Sequence, residues 1–216
     1  MANNLEQFNG YATGILMAYG AFILGIFSPG PNILSIIGTS MGVGRESGKA
    51  LALGIASGSF LWGSLTWIGL AAVLTLYASV IVVIKVVGAA YLLWLALRAF
   101  RSAATSNEFL ARRIDVTGGS WAYYRRGLII QMTNPKAALT WIAIMSLAVN
   151  PGAPLWVGGS IVAGTTVVSL IGHRTYAILF SSAPVVAAYR RIRRGIEAGF
   201  GAFFCFASYK LLTSKT

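Results

Sequence analysis

Two short stretches carry residue types that could do chemistry inside an otherwise apolar chain. Ser28-Pro29-Gly30-Pro31-Asn32 and Asn134-Pro135-Lys136 both interrupt long hydrophobic runs. A proline lacks an N–H, and its ring clashes with the carbonyl four residues back. Pro29 and Pro31 therefore release the carbonyls of Gly25 and Phe27, and Pro135 releases that of Gln131. Gly30 adds backbone freedom, and Pro31 is suited to open a new helix as its first residue. Such a helix leaves the N–H groups of Asn32, Ile33 and Leu34 without partners. Asn134 is a preferred N-cap and Pro135 a preferred first helical residue, so this triplet also reads as a helix start. Helix N-termini are positive and attract anions. Two such starts and the Lys136 ammonium would converge on a carboxylate. The freed carbonyls and the side chains of Asn32 and Asn134 could accept hydrogen bonds from an ammonium. The expected guest is a zwitterion or a carboxylate-bearing metabolite. The plainer alternative for both stretches is a kink that shapes packing, with Lys136 reaching toward the interface. Two prolines around a glycine favour a true break.

Three further ionisable groups stand within or near apolar runs: Lys85, His173 and Arg174. His173 could exchange protons near neutral pH, and the three are candidates for coupling or gating. Lys85 could equally snorkel outward, Arg174 reach the nearer interface, and His173 fill a packing role. No acid is expected at the centre of a span, so no carboxylate proton relay is expected either. Ser169 and His173 lie one helical turn apart, too little by itself for a nucleophile–base pair. With one histidine, the lone Cys205, no HExxH and no phosphate-binding glycine loop, the sequence offers no metal ligands, catalytic residues or cofactor site. It is not expected to be an enzyme.

The elements that must position these residues follow from composition. Of 216 residues 56% are apolar and 10% charged, against about 25% charged in a soluble domain. Six apolar segments fall at about 11–40, 50–79, 80–97, 127–149, 155–181 and 195–212. A bilayer core requires about 20 residues per helix, and only helices or closed barrels can cross it. Long apolar runs without alternation exclude a barrel. The fold expected is an all-α membrane protein with six transmembrane helices, of which helices one and four are broken. Segment six is the weakest, since Glu197 and Lys210 bound only a short uncharged stretch; five spans is the alternative.

Charge gives the orientation. Arg45 and Lys49, then Arg98, Arg101, Arg112, Arg113, Arg125 and Arg126, then Arg190, Arg191, Arg193 and Arg194 fall in alternate connections. Lys and Arg collect on the cytoplasmic side, which places the N-terminus outside. The net charge of +12 is thus read as membrane topology, and no nucleic-acid partner is expected. Residues 1–10 carry no Lys or Arg, so no cleavable signal peptide is expected. The chain divides into a three-helix half at 12–98, a cytoplasmic loop at 99–126 and a second half at 127–212. An odd number of spans per half inverts the second relative to the first. Pro135 lies nine residues past Arg126, and Gly30 about ten before the end of segment one. Both breaks therefore fall about 13–15 Å deep, near the bilayer midplane. Discontinuous helices meeting there are how many secondary transporters build a binding site. Gly54, Gly58 and Gly63 in segment two read as small residues for close packing, within the chain before between two copies; a homodimer stays open.

The motifs resemble those of the LysE/RhtB translocators, bacterial exporters of amino acids and their analogues. The resemblance rests on Ser28 to Asn32, then Gly42, Gly44-Arg45, Gly48, Gly54, Gly58 and Gly69-Leu70. It continues through Lys85 and Gly88 to Leu92, Asn134 to Ala137, Tyr176-Ala177 and the basic run before Gly195. It spans about residues 12–212. It implies six spans, residence in the bacterial inner membrane and coupling to the proton gradient. Pro29, Gly30, Pro31, Asn32, Asn134, Pro135 and Lys136 would lie near the permeation path. His173-Arg174 is not a feature of the family pattern, and Ala96 stands where a glycine is common. A channel, a non-transporting membrane scaffold and an intramembrane enzyme are the alternatives.

Overall fold

The computed structural model describes residues 2–27, 30–76, 80–105, 116–149 and 152–213, and the regular structure among them is entirely helical. The helices are α1 (Ala2–Phe27), α2 (Pro31–Gly42), α3 (Arg45–Leu76), α4 (Val80–Ala104), α5 (Gly119–Met132), α6 (Pro135–Ser146), α7 (Leu155–Leu179) and α8 (Ala183–Thr213). Three helical stretches are long and apolar enough to cross a bilayer: Arg45–Ala72, Val82–Ala104 and Leu155–Leu179. Tyr11–Ile26 and Pro31–Gly42 make a fourth if counted as one span; they are bent by 46°. The helices of segments four and six fall outside this set. α5 and α6 have 14 and 12 residues, and α8 carries four arginines, Glu197 and Lys210.

Two boundaries differ from the expected ones. Helix α4 runs on to Ala104 and α5 starts at Gly119, so much of the expected 99–126 loop is helical. Gly118 and Gly119 have φ of 116° and 65°, a left-handed turn that glycine adopts without steric cost. Helix α8 begins at Ala183, so the arginines at 190–194 lie within the helix, about two to three turns from its start, and not in a loop. Hydropathy alone hides this, because a charged helical turn and a charged loop look alike in a sliding window.

Paired residues fix the helix directions. Gly54, Gly58 and Gly63 of α3 meet Tyr124, Gln131 and Trp141 in turn, so α3 runs parallel to α5 and α6. Their packing is within the chain. Tyr11 meets Trp156, the Tyr19 hydroxyl donates to the Ser160 carbonyl at 2.7 Å, and Gly172 lies against Ile26, so α1 and α7 are parallel. The Ser208 hydroxyl donates to the Ala89 carbonyl at 2.8 Å and the Ser102 hydroxyl to Glu197 at 3.2 Å, so α4 and α8 are antiparallel. Trp67 covers Gly158, and Arg45 reaches Ser181 at 3.1 Å, so α3 and α7 are antiparallel. One core joins α1–α3 and α5–α7 around Ile36, Ile37, Ile55, Ile144 and Ile161. A second lies along the α4–α8 seam around Leu92, Ala96, Phe204 and Leu211.

Candidate binding cavity

Both helix starts form where the prolines require. Gly30 is extended (φ −134°, ψ −178°), and Pro31 is the first residue of α2. Asn134 is extended (φ −86°, ψ 106°) and accepts from the Lys136 N–H at 3.0 Å, and Pro135 opens α6. Ser28 and Pro29 lie outside the described residues.

The two starts are joined by a chain of amides. The Asn134 side chain donates to Asn32 Oδ1 at 3.2 Å, and Asn32 Nδ2 donates to Gln131 Oε1. The carbonyl of Gln131, freed by Pro135, accepts from Trp62 Nε1 of α3 at 3.2 Å. The Tyr91 hydroxyl of α4 donates to the Lys136 carbonyl at 3.0 Å and lies 3.2 Å from Thr140 Oγ1. Trp141 of α6 donates to the Ser59 hydroxyl at 3.3 Å. Helices α3 and α4 thus hold the broken fourth segment from both sides.

These bonds bear on the expected chemistry. Both asparagine oxygens and the Gln131 carbonyl already accept protein donors, and among the described bonds each asparagine oxygen keeps one lone pair for a guest ammonium. The first turn of α6 is also capped: Lys136 N–H bonds the Asn134 side chain, and Ala137 N–H bonds the Asn134 carbonyl at 2.9 Å. The Leu34 N–H bonds the Gly30 carbonyl at 3.0 Å. In α2 that leaves Asn32 and Ile33 as the N–H groups without an intrahelical acceptor, and Gly30 gives no side-chain cap. Among the described residues the start without a side-chain cap is therefore that of α2.

A cavity of about 80 Å³ lies between these elements. That is several times the roughly 10–15 Å³ needed to hold one water. Gly30, Pro31, Asn32, Asn134, Lys136 and His173 line it together. Pro135 and Arg174 are exposed, and neither they nor Lys85 are among the lining residues. Lys85 is buried on α4, ten residues before Leu95, which does line the cavity. Arg174 acts electrostatically on Glu46 at the start of α3. There the Lys49 ammonium pairs with the exposed Glu46 carboxylate at 2.7 Å. His173 Nδ1 lies 2.9 Å from the Ser169 carbonyl and 3.0 Å from the Ser169 hydroxyl. A carbonyl can only accept, so Nδ1 carries the proton, and in the neutral ring Nε2 is left as the acceptor.

Gln131, Ser59, Thr140, Trp62 and Tyr91 complete or support the cavity. Of these only Gln131 had a local signal, as a polar residue four before Pro135 in an apolar run. Glu197, expected at the edge of segment six, is more enclosed than an edge position suggests. Glu197 is 2% exposed on α8, where it accepts from Ser102 of α4. Among the described residues no group of three potential metal ligands occurs.

Fold and cavity define the class: a helical protein of apolar spans with a cavity where two helices break. The chain belongs to the LysE type translocator family, whose profile matches residues 23–215. Among its relatives is the uncharacterized membrane protein YahN of Escherichia coli (strain K12), 30% identical over 92% of this chain and 88% of the relative. A threonine efflux protein of Salmonella typhimurium is 25% identical over 89% of this chain and 94% of its own. A leucine efflux protein of Enterobacter sp. (strain 638) is 28% identical over 81% of each. No solved structure matches the chain significantly.

Proposed function

We propose that the chain is a secondary exporter of amino acids or related small carboxylated metabolites across the bacterial cytoplasmic membrane, coupled to the proton gradient. The observation that carries this reading is that the N-terminus of α2, uncapped among the described residues, and Lys136 line one cavity. Unpaired N–H groups and an ammonium suit a carboxylate, and cost least when one is bound. The relatives named for threonine and leucine efflux support an amino acid as the guest.

The helix directions support six crossings in two inverted three-helix halves. Helices α1, α4 and α7 run one way, and α3, α5–α6 and α8 the other. Across the halves α3 pairs with α7 and α4 with α8, as equivalent helices near a pseudo-two-fold axis would. This arrangement gathers Arg45, Arg98, Arg101, Arg125, Arg126, Arg174 and the α8 arginines at one end. The positive-inside rule makes that end cytoplasmic and puts the start of α1 in the periplasm. Rocking one half against the other would then open the cavity to each side in turn.

The test is counterflow in proteoliposomes of the purified chain, with labelled neutral, cationic and acidic amino acids, threonine and leucine first. Saturable exchange, driven uphill by a pH gradient, is expected. Absence of exchange across the panel, from folded protein, would overturn the reading. Flux without counterflow would indicate a channel.

A further inference from the structure

The cavity leaves one buried acid unused. Glu197 is 2% exposed, and its described hydrogen-bond donor is the Ser102 hydroxyl at 3.2 Å. The Ser102 carbonyl in turn accepts from Arg193 Nη2 at 3.3 Å, as does the Thr105 carbonyl. Among the described residues the ion pair within 4 Å is Lys49–Glu46, and no described cation lies within that distance of Glu197. A buried carboxylate without a close counter-ion is costly to keep charged and marks function within a membrane.

Helix register relates Glu197 to the cavity. Phe204 and Leu95 both line it. Glu197 lies seven residues before Phe204 on α8, and Ser102 seven residues after Leu95 on α4. Seven residues are about two turns, so each pair shares a face and is about 10 Å apart. Glu197 therefore stands about two turns from the cavity along the α4–α8 seam, toward the arginine-rich end. The buried, apolar Ala99 and Phe200 lie between. Lys136, on the cavity wall, and Arg98 both act on Glu197 electrostatically, as does Arg193 on its own helix. Tyr176 of α7 and Tyr189 of α8 are the other titratable groups within its field. Helix α1 reaches the seam through Met17 and Leu24, which do not titrate.

We infer that Glu197 is the carboxylate that takes up and releases the transported proton. A guest at Lys136 changes the field at Glu197, so guest binding and protonation of Glu197 are linked, and linkage is reciprocal. The seam gives the proton a site apart from the substrate, between the cavity and the cytoplasmic end. This inference rests on the proposed proton-coupled export.

The experiment compares wild type, Glu197→Gln and Glu197→Asp in proteoliposomes, using labelled threonine and leucine. Exchange without a gradient involves no net proton movement; gradient-driven accumulation does. Glu197→Gln should keep exchange near the wild-type rate and lose the stimulation by the pH gradient, and Glu197→Asp should retain it. A merely structural role would move both readouts together. Full gradient stimulation in Glu197→Gln would overturn the inference. If Glu197→Gln loses exchange as well, Ser102→Ala decides. It keeps the acid and removes its donor, so the pH of half-maximal driven export should move, and an unmoved midpoint overturns the inference. Wild-type exchange that ignores the gradient overturns the proton coupling and leaves transport standing; no wild-type exchange overturns transport itself.

Discussion

Replacing Gly54 by alanine tests how the cavity is held. A Cβ at Gly54 would sit 2.0 Å from the Tyr124 carbonyl oxygen and 2.8 Å from the Leu128 nitrogen. Across the same interface, a Cβ at Gly127 would sit 2.1 Å from the Leu51 carbonyl oxygen. Ordinary contact starts at 3.4 Å, so α3 and α5 must part by about 1.4 Å at Gly54 and about 1.3 Å at Gly127. The obstructing atoms are backbone, and no rotamer change can relieve them. Overpacking of this kind costs about 1–3 kcal/mol, which lowers the unfolding temperature of a chain this size by roughly 2–12 °C. The separation also reaches the cavity, because Gly58, one turn on, packs directly on Gln131, the last amide of the Asn134–Asn32–Gln131 chain. Gly69 of the same helix is the control: nothing lies within 4 Å of its Cβ position. There alanine should be neutral or gain up to about 1 kcal/mol of helix propensity. The assay is thermal unfolding of the three variants in one detergent. Gly54→Ala and Gly127→Ala unfolding at the same temperature as Gly69→Ala would refute the close-packing argument.

Two further substitutions test the cavity wall. Lys136→Gln should weaken amino-acid binding by about 1.5–3 kcal/mol, the range for a hydrogen bond to a charged group. That is roughly ten- to hundredfold in Kd, measured by equilibrium binding; an unchanged Kd would remove Lys136 from the site. Asn134→Ala removes both the cap of α6 and the link to Asn32, so it should cost about 0.5–2 kcal/mol of stability and weaken binding as well. Thermal unfolding and binding on the same sample would separate the two effects, and loss of neither would contradict the described bonds.

The sequence made the helix starts legible because their chemistry is local. Proline at a first helical position and an asparagine cap act on their own few residues, and α2 and α6 begin where those rules place them. Ser182-Ala183-Pro184 carried the same kind of signal for α8, but the arginines downstream made the stretch look like a loop. What closes the cavity was not legible, because it comes from distant parts of the chain. Trp62, Tyr91 and Thr140 resemble any other aromatic or hydroxyl side chain of an apolar helix until the packing brings them to residues 131–136. Glu197 read as the edge of a span because hydropathy counts charge and not neighbours; Ser102, some 95 residues away in sequence, is what makes it an interior residue.

The position of the substrate carboxylate is the most direct test of this binding site. Solid-state NMR dipolar recoupling can measure it, with ¹³C-carboxyl threonine or leucine bound to protein carrying ¹⁵N at the lysine side chains. An ion pair at Lys136 predicts a carboxyl-to-ammonium distance within about 4 Å, seen as dephasing that vanishes in Lys136→Gln at saturating ligand. Dephasing that survives in Lys136→Gln, or none in wild-type protein that binds the ligand, would place the carboxylate elsewhere and contradict the account.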